Sequence, residues 1–214
     1  MVPVRDGPDG IEVLMLRRNS KLAFGGMWVF PGGRVDDADA DPARPDDELA
    51  AARRAAVREA MEEAGIAVDP GDLVPFSHWT PPEAAPKRFS TWFFLAPAWD
   101  VGEIVIDGSE IHDHAWLRPS VAVEQRDAGD IELAPPTWVT LWQLSLMSGT
   151  EDALRRARER QPRRYATHVV FTDRGMVTLW DGDAGYVDGD ADRPGPRHRL
   201  WMLPDGWRYE STLD

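Results

Sequence analysis

The sequence predicts an α/β protein, and three observations carry that expectation. Apolar, β-branched and aromatic runs recur along the chain, among them IEVLMLRR (11–18), MWVFPGG (27–33) and RFSTWFFLAPAW (88–99). An alanine-rich segment with helical character, ELAAARRAAVREAMEEA (Glu48–Ala64), stands between them and stops at Gly65. The 214 residues are 43% hydrophobic and include ten Trp, which suffices for a substantial core in one large domain, or one domain with an extension.

The elements follow in order. The run 11–18 is a strand closed by two arginines, and MWVFPGG is a short strand running into a Pro-Gly-Gly turn. RVDDADADPARPDD (34–47) is dense in Asp and Pro without periodicity and reads as an irregular loop or insertion. After the alanine-rich helix, RFSTWFFLAPAW and HDHAWLRP (112–119) are strands, with Pro119 opening a helical turn. TWVTLWQLSLMSG (137–149) is apolar at helical spacing, and EDALRRARER (151–160) is an exposed amphipathic helix. The tail from Tyr165 alternates strand-like runs (YATHVVF, MVTLW, HRLWML, WRYES) with Gly/Asp turns, and 181–197 reads as a loop. No internal repeat is present.

Composition excludes several classes of function. The absence of cysteine removes disulfides, thiolate metal sites and a Cys nucleophile. No apolar run approaches the ~18 residues of a membrane span, and the N-terminus lacks a signal pattern, so a soluble, cytoplasmic protein with no membrane partner is expected. A net charge of −13 argues against nucleic acid as a partner, because phosphate neutralisation needs a basic surface. A small phosphate ligand remains compatible if metal ions supply the local positive charge.

The stretch VREAMEEAGIAVD (57–69) concentrates carboxylates in an already acidic chain. On a wheel at roughly 100° per residue, Glu59, Glu62 and Glu63 share an arc of about 100°. Val57, Ala60, Met61 and Ala64 fall on the opposite side, while Arg58 lies next to Glu62 at i+4. One face is therefore expected to be packed and the other purely acidic. Such a face is either merely solvated or a site for hard divalent cations such as Mg²⁺ or Mn²⁺, which prefer oxygen ligands and phosphate partners.

Arg58-Glu59-Ala60-Met61-Glu62-Glu63-Ala64-Gly65-Ile66 resembles the second half of the Nudix box, and the Phe30-Pro31-Gly32-Gly33 turn is similar to the turn on its N-terminal side. The first half of the box, G-x5-E-x7-R-E, is not reproduced. Ala50 stands where its glutamate belongs, and Gly33 lies further upstream, so 34–47 reads as an insert splitting the box. Glu48, Asp36 and Asp37 are the substitutes for the missing glutamate. A split box, together with LMLRRNSKLAFGGMWVFPGG (14–33), resembles the peroxisomal-type coenzyme A diphosphatase branch of the Nudix hydrolases.

That resemblance implies a Nudix α/β/α sandwich with a mixed sheet, its core over 1–148, and a helix plus β-rich extension over 149–214 packed on it. It implies hydrolysis of a nucleoside diphosphate linked to another moiety, with Mg²⁺ or Mn²⁺ as cofactor. The metal ligands would be Glu59, Glu62, Glu63 and the Gly32 carbonyl. Catalysis would fall to Glu62, Glu63 and Glu110, with Glu110 as general base and Glu103 or a box glutamate as its rivals, and Arg58 would orient the carboxylates. Arg17, Arg18, Lys21, Arg34 and Phe30 are the substrate-binding candidates. His112 and His114 are expected to be ordinary histidines, and most of Trp28, Trp79, Trp92 and Trp116 to pack in the core. Coenzyme A or an acyl-coenzyme A is the expected small-molecule partner, with ADP-ribose, NADH or a nucleotide sugar as alternatives. A non-catalytic nucleotide sensor is the alternative of another class. A homodimer contact is one role open to the tail.

Overall fold

A computed structural model describes residues 1–20, 25–85, 89–99 and 101–213. The chain divides into two units, Met1–Phe76 with Trp92–Gln161 and Ser77–Thr91 with Pro162–Asp214.

In the first unit β1 (Val2–Gly7) and β2 (Gly10–Arg18) form an antiparallel hairpin, with Gly7 opposite Gly10. Strand β2 is the hub of the sheet. It also pairs antiparallel with β3 (Trp28–Val29) and with β6 (Ile111–Leu117), while β5 (Thr91–Pro97) runs parallel to β1. The run Val13-Leu14-Met15-Leu16 is wholly buried, as expected of a strand covered on both faces rather than one with a solvent side. Successive side chains alternate between faces. Leu14 and Leu16 join Phe94 and Ala96 under α1 (Glu48–Ala64), which meets them with Ala52, Ala56, Ala60 and Ala64. These small side chains let the helix backbone lie close to the sheet. Helices α2 (Pro119–Ala128), α3 (Pro135–Ser145) and α4 (Thr150–Arg158) complete the unit; α2 packs on α3, and Thr150 N–H donates to Asp6 at 2.8 Å at the start of α4. The outcome is the expected α/β/α arrangement with a mixed sheet. Helix α4 belongs to this unit, which runs to Gln161.

In the second unit the latter half of β4 (Val74–Thr80) lies parallel to β7 (Arg163–Ala166). Strands β8 (His168–Thr172), β9 (Gly175–Leu179), β10 (His198–Leu203) and β11 (Gly206–Ser211) form an antiparallel meander. Trp79 stacks on Tyr165 at 3.8 Å, with Trp180 edge-on to both. A fully buried ion pair, Asp183 with Arg199 at 2.6 Å, ties the turn-rich segment 181–197 to β10. Strands β1 and β4 arise from segments whose Pro and polar residues mask a strand pattern. Among the described residues, no helix is long and apolar enough to cross a membrane.

Candidate active site

Helix α1 carries the site because both its ends are fixed. Asp47 caps the start by accepting from the Ala50 N–H at 3.0 Å. Gly65 ends it in the left-handed region at φ 67°, its N–H reaching the Ala60 and Met61 carbonyls, and the buried Ile66 closes the cap. This stop fixes the direction in which Glu62 and Glu63 project.

The wheel is corrected at two positions. Met61, expected among the packed residues, is 47% exposed, and Glu63, expected on the acidic face opposite the packed one, is only 5% exposed. The buried arc is rotated toward the carboxylates because the turn after β3 covers them. Gly32 donates its N–H to Glu63 Oε2 at 2.8 Å, and a Cβ on Gly33 would overlap the Glu59 carboxylate. The two glycines are therefore where backbone and carboxylates meet. Glu62 stays mostly exposed and joins the cluster through Arg58.

Burial pushes the Glu63 carboxyl up to about 7; the Gly32 N–H and the charge of Arg18 pull it back, and Glu59 and Glu110 add repulsion. Burial also raises Glu59, opposed by its bond to Arg58 and reinforced by repulsion from Glu62 and Glu110. Two neighbouring carboxylates thus resist ionisation in the protein alone, the condition that a bound cation relieves. The donors are all oxygens, which fits Mg²⁺ or Mn²⁺. Among the described residues, no three or more His, Cys, Asp or Glu side chains converge closely enough to hold an ion by themselves. Binding here would draw on backbone and substrate oxygens too, as Mg²⁺ commonly does.

Arg18 and Glu110, expected in separate roles, are bonded to each other at 2.9 Å. The turn bearing Glu110 is held by Asp107, whose carboxylate accepts from the N–H groups of Ser109, Glu110 and Ile111 and from the Ser109 hydroxyl. Burial works against the ionised Asp107, but these bonds hold it at about 2. Asn19 completes the clamp, its N–H donating to the Glu110 carbonyl at 2.8 Å and its side chain to the Ser109 carbonyl at 3.0 Å. Phe30 is buried with its ring edge-on to Phe93 at 5.6 Å, a packing position. Arg34 is exposed and lends its carbonyl to Arg58 at 3.0 Å. Lys21 and Phe24 lie outside the described residues. Trp79 is a core residue as expected, and the Trp116 ring carries the Arg5 guanidinium at 4.1 Å.

None of the three expected substitutes for the missing glutamate is the principal partner of Arg58. Glu48 sits at the far end of α1, about 15 Å away along the axis. Asp37 is exposed, and Asp36 approaches only to 3.7 Å. The partner is the buried Asp39, which receives Nε at 3.3 Å and Nη2 at 3.0 Å. Spacing gives no signal for it; the only local cue is its pairing with Asp36 around the turn Asp37–Asp39.

The NUDIX domain family model matches residues 1–137. A Caenorhabditis elegans protein carried under the name nudix hydrolase 7 is 26% identical over 213 residues, covering 83% of this chain and 70% of that one. A crystal structure of a NUDIX hydrolase from Alicyclobacillus acidocaldarius is 25% identical with a TM-score of 0.65, covering 72% of this chain and 92% of that chain. With the family match spanning well over half of the chain, and taking in the helix and turn just described, the chain belongs to the NUDIX domain family of hydrolases.

Proposed function

We propose that this hydrolase cleaves the diphosphate linkage of a nucleoside diphosphate joined to a second moiety, using divalent ions, and that its substrate is coenzyme A or an acyl-coenzyme A. The products would be a phosphopantetheine and adenosine 3′,5′-bisphosphate. The observation carrying the reaction class is Glu63, a buried carboxylate pinned to the Gly32 N–H beside a second carboxylate, Glu59, that burial also disfavours as an ion. The coenzyme A preference is supported by the likeness of 14–33 and of the split box to that branch.

Divalent ions, when bound, neutralise diphosphate oxygens and acidify the attacking water. Glu59, Glu62 and Glu63 would supply ligand oxygens to them, with the Gly32 carbonyl as a further one. Glu110 takes the proton of the water at Oε1, because Arg18 occupies its Oε2. The water oxygen bonds to phosphorus as the bridging P–O bond breaks, and the leaving phosphate keeps that electron pair. Arg18 and Arg34 contribute positive charge at the rim of the site for the substrate's phosphates.

The test is a hydrolysis screen of coenzyme A, acetyl-coenzyme A, ADP-ribose and NADH in Mg²⁺ and in Mn²⁺. Turnover of coenzyme A above the others is expected; turnover no faster than that of ADP-ribose defeats the coenzyme A assignment. The double substitution Glu62→Gln, Glu63→Gln is expected to abolish hydrolysis of every substrate while leaving the circular dichroism spectrum intact.

A further inference from the structure

We infer that Asp39 is a positioning residue of this site, acting through Arg58 on the carboxylates that hold the ions. The inference rests on the reading of Glu59 and Glu62 as ion ligands.

A guanidinium has five N–H donors in a rigid plane. In Arg58 all five find acceptors. Nε and one Nη2 hydrogen go to the two carboxylate oxygens of Asp39, and the other Nη2 hydrogen goes to the Arg34 carbonyl. The two Nη1 hydrogens go to Glu59 Oε1 at 3.0 Å and Glu62 Oε2 at 3.1 Å. One edge of the plane thus grips segment 34–47, and the opposite corner grips two candidate ligands. Asp39 is itself held on several sides. It is 5% exposed, its Oδ2 accepts from the Asp36 N–H at 2.9 Å, and its carbonyl accepts from Arg54 Nε. Because the fork is planar, fixing Nε and Nη2 on Asp39 also fixes where Nη1 lies between Glu59 and Glu62.

Charge gives Asp39 a second effect. Its carboxylate balances the guanidinium on the side away from the ligands. Without it, the same positive charge is free to turn fully onto Glu59 and Glu62 and compete with a cation for their oxygens. Removing such a supporting partner typically weakens metal affinity or activity about 10–100-fold.

The test uses the full chain and reads Mn²⁺ binding by electron paramagnetic resonance, without substrate. Asp39→Asn keeps the size and the acceptor for Asp36 but drops the charge. We expect Mn²⁺ affinity to fall about tenfold or more, kcat to fall with KM little changed, and Asp39→Glu to recover most of both. Asp39→Ser, with the same expected outcomes, serves if Asp39→Asn does not fold. Wild-type protein that binds no Mn²⁺ overturns the ion-site reading itself. Wild type that binds, alongside a folded neutral variant of equal affinity, overturns the role of Asp39 alone.

Discussion

Glu63→Gln should stabilise the metal-free protein at alkaline pH while destroying its activity. Burial moves the Glu63 carboxyl from 4.5 to about 7. The folded state therefore binds this proton more tightly than the unfolded chain does. Below about pH 4.5 the group is protonated in both states and contributes no penalty. As pH rises from there through about 7 the unfolded chain ionises first, and folding stability falls. Above 7 the penalty is complete, roughly 3 kcal/mol at about 1.4 kcal/mol per tenfold change in proton affinity. Glutamine is nearly isosteric, carries no charge, and still offers an oxygen to the Gly32 N–H. For a domain of this size that difference corresponds to a rise in Tm of about 6–12 °C. The assay is thermal unfolding of wild type and variant in EDTA across pH 4 to 9. The curves should coincide near the acid end and separate at pH 8, with the variant higher. Adding Mg²⁺ should raise the wild-type Tm, since a ligand of the native state stabilises it, and leave the variant much less affected. Equal midpoints in EDTA at pH 8 would refute the argument that the carboxylate is held against its own preference.

Other perturbations separate the remaining parts. Gly33→Ala places a Cβ against the Glu59 carboxylate, and should raise the Mg²⁺ concentration for half-maximal activity about tenfold with an unchanged circular dichroism spectrum; an unaltered Mg²⁺ curve counts against the contact. Asp107→Ala removes the acceptor that four donors share, and should lower kcat through a loosened Glu110 while Tm measured with Mg²⁺ moves little. Asp183→Ala strands the buried Arg199 charge and should cost about 3–5 kcal/mol. Hydrogen exchange is expected to show this as lost protection in β9 and β10, and retained protection there would contradict it.

How legible the molecule is in its sequence depends on whether a signal is local. Helix α1 is legible because its alanine-rich run and the Gly65 stop lie within twenty residues and agree. The strand β2 is legible from its apolar run alone. Strands β1 and β4 are not, because Pro3 and Pro75 sit inside them, and what makes them strands is pairing with partners elsewhere: β1 with β2 and β5, β4 with β7 some eighty residues on. The site divides along the same line. That Glu59, Glu62 and Glu63 share an arc follows from helical periodicity. That Glu63 is buried does not, since the residue covering it is Gly32, which lies 31 positions upstream.

Asp39 shows why the rest escapes. A motif search asks for a glutamate at a fixed spacing along the helix and finds Ala50. The requirement that chemistry imposes is different: the Arg58 fork needs a carboxylate facing its Nε–Nη2 edge, from whatever part of the chain can supply one. Segment 34–47 supplies it from off the helix, and its Asp-rich, aperiodic composition, which hides any spacing, places three aspartates, 36, 37 and 39, within four positions. Only the folded turn selects among them. Asp36 caps, Asp37 faces solvent, and Asp39 turns inward to the guanidinium. The carboxylate absent from the helix spacing thus stands beside Arg58 in space, and the acidic segment, which by composition reads as an irregular loop or insertion, becomes part of what holds the guanidinium on helix α1.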